Sequence, residues 1–345
     1  MLIARAPVRL SLAGGGTDLP AYYETYGGAV LSTTINKHFY VFLDALDGNC
    51  IQISSSDYQT FYRSDGRDTL LTNGELPLPR AILSDFGVES GLQMFLASEV
   101  PPGTGLGSSS CVTVAIIKAI STALDQPLDK ASLADRACRI EIDKLGAPIG
   151  KQDQYASAFG GMNWVEFTKD AVTVEPLRMP ADAKRTLESN LMLFFTGSTR
   201  SASKILKETT AASRSGRPEV IEALHSVKAM AYETRELLLR GDVDGFGALL
   251  HLMWERKKKY ASGVSTPEID AAYSAAREAG AVGGKIAGAG GGGFLVIYAD
   301  APHHDDVTDA LHGLGMRRMD YRFENRGAQV LMEAGFSIAS AIHAA

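Results

Sequence analysis

Cysteine is scarce in this chain: Cys50, Cys111 and Cys138 are odd in number, far apart and without CxxC spacing. That argues against a disulfide framework or a zinc site. No apolar run approaches the length of a membrane span. Residues 1–13 carry Arg5 and Arg9 inside an alternating pattern, so they hold no continuous signal-peptide core. Basic charge is not in excess either. With 34 Lys and Arg against 40 Asp and Glu the net charge is −6, which gives no electrostatic support for nucleic acid or a membrane surface as partner. The expectation is a protein of the reducing cytoplasm. Its 345 residues, 45% of them hydrophobic, suit a globular chain of about two domains.

Glycine is what the chain has in plenty. There are 35, clustered at 14–16, 103–107 and 283–293. The middle cluster lies in Pro101-Pro102-Gly103-Thr104-Gly105-Leu106-Gly107-Ser108-Ser109-Ser110, ahead of an apolar run. In that run Val112, Ala115, Ile116, Ala119, Ile120 and Ala123 recur at helical spacing, which predicts a helix over about 108–123 with one buried face. Glycines at 103, 105 and 107 allow backbone conformations closed to other residues and close approach to a ligand. A helix starting directly after such a loop presents unpaired N–H groups and the positive end of its dipole. The combination predicts an anion site, for a nucleotide phosphate. A Walker A loop would need a lysine after Gly107, where Ser108 stands. A dinucleotide fingerprint would need a third glycine at that same position. A Gly-rich turn between strand and helix is the simpler alternative on this stretch alone.

In chain order, Leu2 to Leu12 reads as a strand ending at Gly14-Gly15-Gly16-Thr17-Asp18. Its alternation puts Arg9 opposite Leu10 and Leu12, either as a solvated charge or as a site residue. Residues 28–35 read as a second strand. Those at 38–46 and 50–54 read as a hairpin turning at Asp47-Gly48. Residues 57–80 read as loop, with Pro77 and Pro79 in it. The run 131–145 is helical and puts Glu141 on the apolar face with Ala137 and Leu145, so this carboxylate needs a buried salt bridge or a metal. Asp153 follows a constrained turn at Pro148–Gly150 and is a candidate base. Residues 170–188 read as a polar boundary. Residues 191–195 and 294–298 read as strands, and 218–240 and 243–260 as helices. The charge run Arg256-Lys257-Lys258-Lys259 reads as a solvated helix end. Gly288-x-Gly290-x-x-Gly293 matches the dinucleotide pattern literally, but a strand follows it where a helix is required, so a hairpin-like glycine loop is the better account.

The three glycine segments with these companions, in this order, resemble the GHMP small-molecule kinases. Ala6-Pro7-Val8-Arg9 with Gly14–Asp18 is similar to the first motif of that superfamily, Pro101–Ser110 to the second and Lys285–Phe294 to the third. Gly15-Gly16 stand where many sugar kinases of the superfamily carry Glu-His, which argues against galactose. Gln152-Asp153-Gln154-Tyr155 and Thr196-Gly197 with Arg200-Ser201 bring the pattern closest to the heptose 7-phosphate kinase branch, beside an L-fucokinase-like sister branch.

The resemblance implies an α+β fold in two parts with the active site in the cleft between them. The first part, about residues 1–170, would be the ATP-binding part with the ribosomal protein S5 domain 2-like fold. The second, about 190–345, would be ferredoxin-like. ATP and Mg²⁺ are the implied cofactors, and the implied partner is a small sugar phosphate; a homodimer is left open. Pro102 to Ser110 (Pro102, Gly103, Thr104, Gly105, Leu106, Gly107, Ser108, Ser109 and Ser110) would wrap the ATP phosphates. Ser109 and Glu141 would hold Mg²⁺. Asp153 would face the acceptor hydroxyl as base or orienting group, with Arg9 beside it. Gly14, Gly15, Gly16, Thr17 and Asp18 would bind sugar hydroxyls. The Gly288, Gly290 and Gly291 loop would close over nucleotide and substrate, and Lys151 and Arg200 are the candidates for a distal phosphate. The implied reaction is phosphorylation of the anomeric hydroxyl of D-glycero-D-manno-heptose 7-phosphate to the 1,7-bisphosphate, for bacterial polysaccharide assembly. A catalytically silent sugar sensor on the same fold is the competing class.

Overall fold

The computed structural model describes residues 1–46, 50–56, 60–64, 76–88, 91–199 and 203–334. Its first half is built on β1 (Leu2–Ala13), α1 (Pro20–Tyr26), β2 (Gly28–Ala45), β3 (Ile51–Ser55), β4 (Thr60–Ser64), α2 (Pro77–Asp85) and β5 (Leu92–Ser98). It continues through α3 (Ser108–Ala123), α4 (Lys130–Cys138), a π-helical turn (Arg139–Lys144), α5 (Gln152–Phe159), β6 (Met162–Phe167) and β7 (Val172–Pro176). The second half holds α6 (Ala181–Asn190), β8 (Leu191–Phe195), α7 (Ser203–Arg214), α8 (Pro218–Arg240), α9 (Val243–Lys257) and α10 (Pro267–Glu278). It ends with β9 (Gly283–Ile286), β10 (Phe294–Tyr298), α11 (His304–Gly313), β11 (Arg317–Met319), β12 (Phe323–Glu324) and β13 (Gln329–Glu333).

Two sheets result, as the resemblance implies for an α+β fold. In the first, the order is β13-β1-β2-β5-β3-β4, with β6 and β12 also on β2 and β7 on β6; in the second it is β11-β8-β10-β9. All pairs are antiparallel except β3 with β5. Strand β2 is long enough to serve two neighbours in succession, β6 along Gly28–Thr33 and β5 along Phe39–Ala45. The hairpin expected around Asp47-Gly48 does not form as a strand pair. Strand β5 lies between β2 and β3, although Asp47 and Gly48 themselves fall outside the described residues. Pro77 and Pro79 open helix α2 rather than sitting in a loop, because a proline at the first helical positions forgoes an N–H that has no partner there. The polar stretch near 170–188 holds strand β7 and helix α6. Strands β12 and β13 bring the end of the described chain back to β2 and β1.

Helix α3 is the centre of the first half. One buried face was expected, yet twelve of its sixteen residues are buried. Sheet strands β1 and β2 contact it, as do α2, α4 and α5, and small or apolar side chains on every side suit such a position. On β1, Val8, Leu10 and Leu12 are in the core, while Arg9 and Ser11 project to the opposite face and line a cavity. That cavity lies where the two glycine loops meet. Phe294 N donates to Thr104 O at 3.1 Å, and a Cβ built on Gly105, whose φ is +81°, would stand 2.4 Å from Ala287 O. Gly105→Ala is therefore expected to lose stability by more than the ~1–2 kcal/mol of a left-handed non-glycine residue, since backbone blocks the new methyl. Chemical denaturation checks this; an unchanged midpoint would mean the loops do not pack as described.

Candidate active site

Strand β5 delivers the chain to the loop, and Gly107, at φ +75°, turns it into α3 as the residue before the helix. Gly103, Gly105, Gly107, Ser108, Ser109 and Ser110 line the cavity. The first-turn N–H groups of α3 have no helical acceptors and are available to an anion. Thr104, Leu106 and Pro102 are not on the wall. Thr104 Oγ1 donates to Pro101 O at 2.9 Å, and Leu106 is buried in the core with its carbonyl accepting from Arg9 N at 3.0 Å. They brace the loop.

Arg9 and Asp153 are 144 residues apart in sequence and meet here. Arg9 Nε donates to Asp153 Oδ1 at 2.7 Å, Nη2 reaches the same oxygen at 2.6 Å, and Nη1 donates to Gly105 O at 2.6 Å. Arg9 is 2% exposed, so it is no solvated strand charge. One guanidinium thus fixes both the carboxylate and the glycine loop. Asp153 stands in the first turn of α5, and its Oδ2 is 3.1 Å from where a Cβ on Gly107 would sit. The carboxylate is held at the mouth of α3.

Beyond Asp153 the wall turns polar. Gly14, Gly15, Gly16 and Asp18 line it. Asp18 accepts from Gly16 N at 3.0 Å, from Gln152 N at 3.2 Å and from Gln152 Nε2 at 3.2 Å. Burial, and then the nearby Asp153 charge, push its carboxyl upward. Thr17 is behind the wall, its hydroxyl engaged with the backbone of Gly14 and Ala29. Ser11 Oγ and Gln152 Oε1 are buried, on the wall, and without a hydrogen-bond partner. Buried polar atoms normally have partners, so these two oxygens mark this part of the wall as polar.

Glu141 sits one layer behind the serines, on the π-helical turn. Its Oε1 accepts from Ser109 Oγ at 3.4 Å and Ser110 Oγ at 3.3 Å, and its Oε2 accepts from Gln154 Nε2 at 2.7 Å. Burial pushes its pKa up to about 7. Among the described residues it has no cationic partner, so the buried salt bridge is not found.

Other expected residues lie elsewhere. Gly288 is on the wall, but Gly290 and Gly291 pack behind it, where Gly291 N donates to Val264 O at 2.8 Å. Lys151 does not line the cavity; its ammonium is 5.3 Å above the Tyr23 ring. Arg200 falls outside the described residues. Conversely, Lys257, Tyr260 and Lys285, to which the sequence assigns no site role, are on the wall. The solvated reading of Arg256–Lys259 is wrong for Lys257. Its spacing from buried Leu250, Met253 and Trp254 continues the inner stripe of α9, a signal that the run of charge conceals.

The wall thus joins a glycine loop at a helix start, the buried Arg9–Asp153 pair and a polar pocket around Asp18. Residues 78–161 match the GHMP kinases N terminal domain and residues 234–315 the GHMP kinases C terminal domain. The chain belongs to the GHMP kinase family, phosphotransferases that use ATP and an alcohol acceptor. It is 34% identical over 331 residues to the D-glycero-alpha-D-manno-heptose 7-phosphate kinase of Campylobacter jejuni, covering 94% of this chain and 97% of that one. The crystal structure of a D-glycero-D-manno-heptose 1-phosphate kinase from Bacteriodes thetaiotaomicron superposes with a TM-score of 0.80 at 33% identity, over 97% of this chain and 100% of that one. The L-fucokinase/L-fucose-1-P guanylyltransferase of Bacteroides fragilis is 29% identical over 331 residues, which cover 86% of this chain and 34% of that protein.

Proposed function

We propose that this chain phosphorylates the anomeric hydroxyl of D-glycero-D-manno-heptose 7-phosphate with ATP, giving the 1,7-bisphosphate for nucleotide-heptose synthesis in polysaccharide assembly. The observation that carries the reading is the Arg9 bridge, which fixes Asp153 between the phosphate loop and the polar pocket around Asp18. A carboxylate there can accept or orient the proton of an acceptor hydroxyl while its oxygen attacks the terminal phosphorus. The ADP oxygen leaves. Phosphoryl transfer asks mainly for positioning and charge neutralisation, and the loop N–H groups with Arg9 supply both. The unpartnered Ser11 Oγ and Gln152 Oε1 fit a polyhydroxyl acceptor.

A divalent cation fits Glu141. This carboxylate is buried without a counter-charge among the described residues, and Ser109 Oγ is 3.4 Å from its Oε1. Among the described residues no group of three or more His, Cys, Asp or Glu could hold a metal, so an ion here would take few protein ligands, as Mg²⁺ does beside phosphates. Ser109 and Glu141 would hold it, and it would neutralise phosphate charge. The described cysteines are free and buried, which supports a reducing compartment, the cytoplasm.

The named relatives differ on where the acceptor already carries its phosphate, and the fucokinase relative leaves an unphosphorylated sugar as the second reading. The test is ATP consumption with Mg²⁺ on heptose 7-phosphate, heptose 1-phosphate, mannose and L-fucose. Turnover confined to the 7-phosphate is the expected result. Turnover only on the 1-phosphate or on free sugars would move the reaction, and sugar binding without turnover would favour the sensor.

A further inference from the structure

Asp153 and Asp18 are the carboxylates on the cavity wall, and Asp18 is held by N–H groups of Gly16 and Gln152 rather than by a cation. Arg9 is paired with Asp153, but two lysine ammoniums reach the same wall from α9 and β9. Among the described residues neither has a carboxylate partner. Lys257 Nζ donates to Ile286 O at 3.0 Å and to Gly288 O. Lys285 Nζ donates to Leu12 O at 2.9 Å. Carbonyls satisfy the hydrogen bonds and cancel no charge. Lys257 keeps some accessible surface on the cavity wall while its ammonium is deeply set. Burial and then Arg9 push its pKa down to about 7, and burial, Lys257 and Arg9 hold Lys285 well below the usual lysine range. Like charges crowded away from water are costly unless an anion joins them.

The position says which anion. Gly288, whose carbonyl Lys257 holds, packs on the phosphate loop: a Cβ added to it would meet Gly105 Cα at 2.6 Å. Arg9 binds the carbonyl of that same Gly105. Three residues past Lys257, Tyr260 donates to Gly15 O at 3.3 Å in the polar pocket. Lys257 therefore stands at the seam between the nucleotide loop and the acceptor pocket. The loop itself has no lysine at its end, where P-loop enzymes carry one.

We propose that Lys257 is an anion-binding residue of this site, its ammonium, backed by Lys285, taking an oxygen of a ligand phosphate. This rests on the kinase reading above. Such a phosphate has two sources: the terminal phosphate of the nucleotide and the phosphate already on the acceptor. An ammonium at the seam gives one of them a full positive charge, which N–H dipoles supply only in part.

Calorimetric titration of Lys257→Met with four ligands in Mg²⁺ separates the sources: AMP-PNP, ADP, heptose 7-phosphate and unphosphorylated heptose. The expected result is binding weakened by about tenfold or more for one phosphorylated ligand, with its counterpart lacking that phosphate unchanged. Loss confined to AMP-PNP assigns Lys257 to the terminal phosphate, and loss confined to heptose 7-phosphate assigns it to the acceptor. The ligand-free melting temperature should change little, and Lys257→Arg should keep most of the affinity. Four affinities within about twofold of wild type would overturn the proposal. So would a drop in ligand-free stability with equal weakening of all four, which marks a strut for the Gly288 loop. Wild-type protein that binds none of the ligands would overturn the kinase reading first.

Discussion

Asp153→Asn is expected to lower kcat by roughly 10²- to 10⁴-fold, the span typical of a positioned general base, while ATP binding is nearly unchanged. The substitution is close to isosteric. An asparagine Oδ1 can still accept from Arg9 Nε, now 2.7 Å away, and Arg9 Nη1 still holds Gly105 O, so the phosphate loop keeps its brace. What is lost is the second oxygen, Oδ2, which abuts Gly107 at the mouth of α3. An amide nitrogen there would donate where the acceptor hydroxyl must also donate. The size of the fall measures how the proton is handled. A loose transition state needs little early proton abstraction, so a loss near the low end marks orientation of the hydroxyl and one near the high end marks true base catalysis. Steady-state kinetics beside nucleotide titration make the measurement. A kcat within about tenfold of wild type, with binding intact, would remove Asp153 from the reacting centre.

The parts of this site that could be read in the sequence are those where the backbone leaves a mark. Gly105 and Gly107 take φ values of +81° and +75°, and glycine is the usual residue for such turns, so the glycine loop shows in one dimension. Glu141 showed through its place on an apolar stripe. The Arg9–Asp153 pair did not. Nothing local to either residue points across 144 positions, and only the family resemblance joined them. Lys257 was hidden by its neighbours, since a run of four cations ordinarily marks solvent even when one of them turns inward. The order of β2, β5 and β3 is a tertiary outcome that turn chemistry at Asp47-Gly48 does not encode, and the parallel β3–β5 pair depends on it. Helix α6 leaves no apolar stripe in the sequence, because only Leu187 and Asn190 of its ten residues are buried.

Glu141→Gln is expected to remove this site's response to pH and weaken its response to metal. Burial raises the Glu141 pKa from the ordinary 4.5 to about 7 in the folded chain. The folded state therefore holds this proton where the unfolded state has released it. Below about 4.5 both states are protonated and the group contributes no pH dependence. Between about 4.5 and 7 stability falls as pH rises, and above that both are ionised and the penalty stays constant. A cation at Oε1 favours the ionised form and opposes this trend. Metal-free wild-type protein should thus lose melting temperature from about pH 5 to 7 relative to Glu141→Gln, and Mg²⁺ with ATP should restore it most at the upper end. A glutamine side chain still has an oxygen for Gln154 Nε2, now 2.7 Å from Oε2, and an NH₂ for a serine hydroxyl oxygen, so the turn keeps its bonds. The variant should lack the Glu141 share of the fall in stability over that window and need at least about 10- to 100-fold more Mg²⁺ for half-maximal activity, since even outer-shell metal partners carry losses of that size. Parallel pH profiles for the two proteins, with equal Mg²⁺ requirements, would mean that Glu141 carries its burial as a neutral acid and holds no metal.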